Sequence, residues 1–79
     1  MDKLGIVLHI SGSRKIILRT KIKVKTGINV LNEELNSVGR IIDIFGPIRN
    51  PYVSIEPIID APQRYIGRAV YIMEKNGKG

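Results

Sequence analysis

Hydrophobic and polar residues alternate along most of the chain in short runs, the two-residue period of strands that bury one face. Leu4 to Ile10 reads as a first strand, and Ser11-Gly12-Ser13 as the turn that ends it. Ile16 to Thr20 opens a second strand, beyond which Ile22 and Val24 alternate with Lys21, Lys23 and Lys25. A continuing strand would put Arg19, Lys21, Lys23 and Lys25 on one face as a basic stripe about 20 Å long. A turn near Thr20 would make the same residues a basic loop. Residues 25–31 read as a turn and a short strand, and residues 32–36 as a loop or a single helical turn. Val38 to Phe45 is the strongest strand. A loop over residues 46–51 follows it, stiffened by Pro47 and Pro51, whose rings fix φ near −65°. Tyr52 to Glu56 returns as the partner strand of a hairpin, and Pro57 ends its ladder for want of an N–H. Ile58-Ile59 forms a brief extension, residues 60–63 turn again, and residues 65–73, broken at Gly67, give the last strand.

Six or so short strands at this spacing predict an all-β fold, a small six-stranded closed barrel that leaves no sheet edge exposed. Composition agrees: Ile and Val together supply 21 residues and Leu only five, a ratio that favours strands over helices. The chain reads as one domain over residues 1–74 with a polar tail over 75–79.

Two places strain the alternation. Parity puts His9 on the face of Val7 and Gly5, opposite Leu8 and Ile10. In the Val38 to Phe45 strand, Ile42 and Ile44 share one face while Ile41 and Phe45 share the other, so both faces are apolar. A barrel strand should have one face in water. Either a bulge, placed at Gly39, brings both sets to the core, or another protein covers the outer set. The rigid, apolar Pro47, Ile48, Pro51 and Tyr52 extend that patch and suit the second account.

Candidate chemistry is sparse. There is no cysteine and one histidine, which excludes disulfides and thiolate or zinc centres built from this chain alone. No metal or organic cofactor is expected. Glu33 and Glu34 are adjacent and cannot face each other. Asp43 and Glu56 sit on the two arms of the hairpin without the marks of an acid–base pair, and surface ion pairs to Arg40 or Arg68 are expected for them. No phosphate-cradling glycine loop is present. The chain therefore reads as a non-enzyme. No apolar run approaches the roughly 20 residues of a membrane span and the opening residues form no signal peptide. A soluble, cytoplasmic protein is expected.

Charge adds a second feature. The chain carries a net charge of +6. Residues 1–25 hold seven basic side chains against Asp2 alone, whereas residues 26–79 hold six of each sign. A basic patch so localised suits a polyanion such as RNA, or else serves as a solubilising face. The aromatic side chains are three Tyr and one Phe, and none interleaves with the basic third. Stacking readout of single strands is therefore poorly supplied. Contact with RNA through Arg19, Lys21, Lys23 and Lys25 would be to the phosphate backbone, weak and salt-sensitive.

Val38-Gly39-Arg40-Ile41-Ile42-Asp43-Ile44-Phe45-Gly46-Pro47-Ile48, followed by Pro51-Tyr52-Val53-Ser54-Ile55-Glu56-Pro57, resembles the central signature of the small barrel subunit of H/ACA ribonucleoproteins. This is the glycine/arginine-rich small nucleolar ribonucleoprotein subunit and its archaeal counterparts. Leu4 to His9 and Tyr65 to Tyr71 resemble the archaeal members as well, so the likeness covers nearly the whole chain. The absence of Gly/Arg-rich tails points to an archaeal source (a eukaryotic member would be nucleolar). A related assembly factor shares the same core domain.

The resemblance implies a barrel like the second domain of translation elongation factors. It implies docking on the pseudouridine synthase of the H/ACA complex, with guide and substrate RNA touched indirectly or weakly. It also implies a part in loading and releasing substrate RNA, in rRNA modification and ribosome biogenesis. The uridine chemistry would belong to an aspartate of the synthase. On this chain the implied partner contacts fall on Phe45, Gly46, Pro47, Ile48, Pro51, Tyr52 and Val53, with Tyr65 and Gly67 added. A basic barrel that binds RNA by itself is the alternative.

Overall fold

A computed structural model describes residues 1–73. Six strands, β1 (Asp2–Ile10), β2 (Ile16–Arg19), β3 (Asn29–Leu31), β4 (Ser37–Phe45), β5 (Tyr52–Pro57) and β6 (Ala69–Ile72), are joined by loops and one short 3-10 helix (Pro62–Tyr65). They close into an antiparallel barrel in the order β1-β2-β5-β4-β3-β6. The expected all-β closed barrel is the fold of this chain. The seam is thinnest between β3 and β6, which pair only through Leu31 and Tyr71. The polar tail over residues 75–79 lies outside the described residues.

The core is aliphatic. Leu4, Val7, Ile16, Leu18, Val30, Val38, Ile41, Val53, Ile55, Val70 and Ile72 form one buried cluster drawn from all six strands. Each such side chain contributes about 1.5–3 kcal/mol on burial, so β-branched residues serve here both as strand formers and as core.

Bulges explain the places where alternation failed. On β1, Val7 faces Leu18 and His9 faces Ile17, which leaves Leu8 as an extra residue. Parity therefore flips after Val7. Val7 is buried and His9 is exposed, a correction to the shared face assigned to them. On β4, Ile41 faces Ile55 and Asp43 faces Ser54, so Ile42 is the extra residue. Ile41 is buried, Ile44 packs half-buried against the same core, and Ile42 is left outside. The bulge that lets both Ile41 and Ile44 reach the core lies at Ile42. A further shift beside Gly39 makes Val38 the extra residue against β3, and Val38 is buried too. Gly39 is needed for another reason, since a Cβ there would strike the Glu56 carbonyl oxygen and the Ile55 side chain. Glycine lets the backbones of β4 and β5 approach.

Two other expectations need correcting. Residues 65–73 do not form one strand. Pro62 starts a 3-10 helix, Ile66 and Gly67 turn, and β6 spans only Ala69–Ile72. Ile58-Ile59 adds no strand. Residues 32–36 are the hairpin loop between β3 and β4. The Asn32 side-chain oxygen accepts hydrogen bonds from the Glu34 and Asn36 N–H groups, and Leu35 has φ of 68°.

Candidate functional site

The β4–β5 hairpin carries its signature residues to one end of the barrel. Phe45 and Tyr52 are directly paired at the tip, and Arg19 on β2 is paired with Tyr52 from the other side. Three outward side chains thus lie in a row across three strands. The Phe45 and Tyr52 rings are stacked, with centroids 5.5 Å apart and planes 19° from parallel. The Arg19 guanidinium lies over the Tyr52 ring at 4.8 Å. An aromatic stack of this kind contributes about 0.5–1.5 kcal/mol and an exposed cation–π pair about 0.5–1 kcal/mol. Together they hold Tyr52 half-buried.

The loop beyond the stack has a fixed start. Gly46 has φ of 92°, a region L side chains rarely adopt, and its α-carbon faces the Tyr52 ring so closely that a Cβ would sit 3.0 Å from Cδ2. Pro47 follows, then Ile48, which is 95 % exposed. The loop's other end is anchored where the Pro51 carbonyl accepts the Thr20 N–H at 3.0 Å and the Asn50 carbonyl accepts the Arg19 Nε–H at 3.4 Å. A fully exposed isoleucine on a proline-braced loop is not placed there by the needs of the core.

The chain turns at Thr20. β2 ends at Arg19, and residues 21–28 run as a loop rather than as a continued strand. Of the two arrangements open to the sequence, the basic loop is the one adopted. Alternation persists along it: Ile22 and Val24 are half-buried against the core, and Lys21, Lys23 and Lys25 are exposed. Both ends of this loop are tied down. Thr20 is bound to Pro51 as above, and the Gly27 N–H donates to the Ile41 carbonyl at 2.7 Å. The basic loop is therefore held beside the proline loop, and a groove of about 890 Å³ lies between them. Its lining joins Lys21, Lys23, Lys25 and Arg49 to Ile22, Val24, Ile28, Ile44, Ile48 and Pro51. Sequence reasoning found the basic residues and the proline-braced patch separately. It missed Ile22, Val24, Ile28, Ile44 and Arg49 as groove residues. The alternation of Ile22 and Val24 with lysine was visible, but only the Thr20–Pro51 and Gly27–Ile41 hydrogen bonds say what that alternation faces.

The remaining expected contacts fall elsewhere. Val53 is 0 % exposed and belongs to the core cluster. Its side chain points inward next to Tyr52, so it can touch no partner, and its place among the contact residues is corrected. Tyr65 and Gly67 precede β6, which stands across the ring from β5, and the fold does not bring them to the Phe45–Tyr52 row. Tyr65 is half-buried against the core and its hydroxyl accepts a hydrogen bond from the Asn32 side-chain amide at 3.1 Å. Gly67, with φ of 84°, donates its N–H to the Val7 carbonyl. A smaller polar pocket of about 210 Å³ lies beside Tyr65, lined also by Glu33, Glu34 and Arg68.

Among the described residues, no group of three or more His, Cys, Asp or Glu side chains could hold a metal ion. The one ion pair among them joins Lys15 and Glu56 at 3.3 Å, in place of the pairs expected with Arg40 or Arg68. No helix among the described residues is long and apolar enough to cross a membrane.

No protein-family model matches the chain. Relatives by sequence include an uncharacterized protein of Methanothermobacter thermautotrophicus, 35 % identical over 82 residues that cover 99 % of this chain and 89 % of that protein. An uncharacterized protein of Methanocaldococcus jannaschii is 36 % identical over 52 residues, 66 % of this chain and 63 % of its own length. With nearly its whole length matched at that identity, the chain belongs to the same protein family as the Methanothermobacter thermautotrophicus protein.

Proposed function

We propose that this chain is a non-catalytic protein-binding barrel, the small subunit of an archaeal H/ACA ribonucleoprotein. It docks on the pseudouridine synthase and aids the loading and release of substrate RNA in rRNA modification. The observation that carries the docking part is the exposure of Ile48 at 95 %, on a loop braced by Pro47 and Pro51 beside the Phe45–Tyr52–Arg19 stack. A rigid apolar tip with aromatic and arginine neighbours has the composition of an interface anchor, and its preset shape lowers the entropic cost of association. The choice of partner rests on the resemblance of residues 38–57 to the H/ACA barrel signature. The uridine chemistry belongs to the synthase, and the complex works in the cytoplasm.

Binding of the purified chain to the H/ACA pseudouridine synthase of the same organism tests this reading. The wild-type chain is expected to form a stable complex in gel filtration. Tyr52→Ala and Ile48→Asp are each expected to lose it while keeping a folded circular-dichroism spectrum. A wild-type chain that never associates with the synthase would remove the partner assignment.

A second reading is favoured by a specific observation. Lys21, Lys23, Lys25 and Arg49 converge on one groove, as they would in a barrel that binds RNA by itself. That reading expects tight RNA binding with a steep salt slope. A gel-shift titration at low salt separates it from the first.

A further inference from the structure

The groove between residues 21–28 and the proline loop has two chemistries in one lining. Ile22, Val24, Ile28, Ile44, Ile48 and Pro51 are aliphatic, and Lys21, Lys23, Lys25 and Arg49 are cationic. Among the described residues, no carboxylate and no aromatic ring belongs to that lining. The segments that form its walls are tied at their ends by the Thr20–Pro51 and Gly27–Ile41 backbone hydrogen bonds. A volume of about 890 Å³ is on the scale of a pocket for a ligand of many atoms rather than for an ion.

We infer that this groove receives a segment of a partner protein in which carboxylates flank aliphatic side chains. The inference rests on the docking reading above and names the chemistry of what docks. The aliphatic floor decides between an acidic polypeptide and a nucleic acid. A phosphate backbone would satisfy the lysines but leave the isoleucines in water, and the groove lining itself offers bases no ring on which to stack. Leucine or isoleucine side chains fill such a floor, and glutamates or aspartates beside them reach the four cations at the rim. Rim charges of this kind govern the choice of partner and the speed of encounter. They also reject a basic segment outright.

The test uses the full chain, with its isoleucine and valine methyl groups observed by NMR at low ionic strength. Three probes are titrated: a short peptide of alternating Glu and Leu pairs, the same peptide with Lys in place of Glu, and an oligouridine of equal length. The Glu peptide alone is expected to move the methyl signals of Ile22, Val24, Ile44 and Ile48. Lys21→Glu, Lys23→Glu and Lys25→Glu combined should weaken it on the order of 10-fold, and Ile48→Ser should weaken it independently of salt.

Silence of these methyl groups toward every probe would overturn the inference. So would displacement by oligouridine alone, or an affinity untouched by the charge reversal. The pseudouridine synthase provides the second arm. A wild-type chain that takes the Glu peptide but not the synthase removes the partner assignment and keeps the groove. A synthase complex that the triple reversal leaves unchanged removes the groove inference and keeps the docking.

Discussion

Two proline-flanked connections leave the β4–β5 hairpin, and they differ in what they do with the same residue types. The loop over residues 46–51 has Pro47, Ile48 and Pro51; the crossover from β5 to β6 has Pro57, Ile58, Ile59 and Pro62. The crossover is built into the barrel. Ile58 donates its N–H to the Val38 carbonyl, and the Asp60 carbonyl accepts from Arg14. Pro62 is buried, and Ile59 and Tyr65 pack on the core. The hairpin loop is anchored only at its ends, through Gly46 and through Asn50 and Pro51, and Ile48 between them packs on nothing in the described chain. The difference teaches that proline and isoleucine do not by themselves mark a binding loop. What marks it is that the surrounding fold holds the loop's shape while leaving its apolar tip unused.

Substitutions can break this contrast if it is wrong. The largest effect is expected in the stem of the hairpin. Gly39→Ala places a Cβ against the Glu56 carbonyl oxygen and Ile55. The β4 and β5 backbones must then separate, at a cost of about 3 kcal/mol. The urea midpoint should fall accordingly, and a midpoint near wild type would mean that the stem has more slack than its geometry allows. In the crossover, Tyr65→Ala removes a ring packed on the core together with the hydrogen bond from Asn32. A loss of about 2–3 kcal/mol is expected, less than for a fully buried aromatic. Tyr65→Phe isolates the hydrogen bond, worth about 1 kcal/mol. A crossover that tolerated both changes would be no more structural than the hairpin loop.

Much of this architecture was legible in the sequence. Short runs rich in Ile and Val, with Gly, Pro, Asn or Ser between them, placed the strands, because such residues suit a pleated sheet that buries one face. The bulges at Leu8 and Ile42 were not legible. A bulge is a property of a strand pair, and the residue that slips is decided by the partner's register, Leu18 and Ile17 for β1 and Ile55 and Ser54 for β4. That is why simple parity puts His9 on the wrong face. Val53 is a different case: it is core by plain alternation with Tyr52 on β5, which pairs with β2 without a shift, and only the family signature sets it beside the surface residues. The 3-10 helix at Pro62 was hidden because Tyr65, Ile66 and Val70 resemble one strand when the turn at Gly67 is treated as a mere interruption. The apolar hairpin tip was visible as a sequence pattern, and the cationic groove beside it was not. Lys21 and Arg49 are 28 positions apart in the chain, and only the folded barrel makes them neighbours.

Gly46→Ala tests the junction between stem and tip. The substitution meets both a φ of 92° and the Tyr52 ring. It should cost about 1–2 kcal/mol. It should also disturb the Phe45–Tyr52 stack, seen as a change in near-ultraviolet circular dichroism. A variant with unchanged stability and spectrum would show that the loop's start is not set by glycine.

The smallest effect on stability, and the most telling for the comparison, is expected at Ile48. An exposed side chain that packs on nothing leaves no cavity when it is replaced, and an aspartate there stays in water. Ile48→Asp should therefore shift stability by less than about 0.5 kcal/mol. Its carboxylate would enter a groove rimmed by Lys21, Lys23, Lys25 and Arg49, and any change that does appear should be a slight stabilisation that fades as salt screens it. The same replacement at Ile59, half-buried on the core in the crossover, should destabilise clearly, because it drives a charge against apolar neighbours. Urea denaturation of the two variants side by side measures the contrast. Equal losses at both positions would mean that Ile48 is held by the fold after all, and the case for a surface kept free for a partner would fail with it.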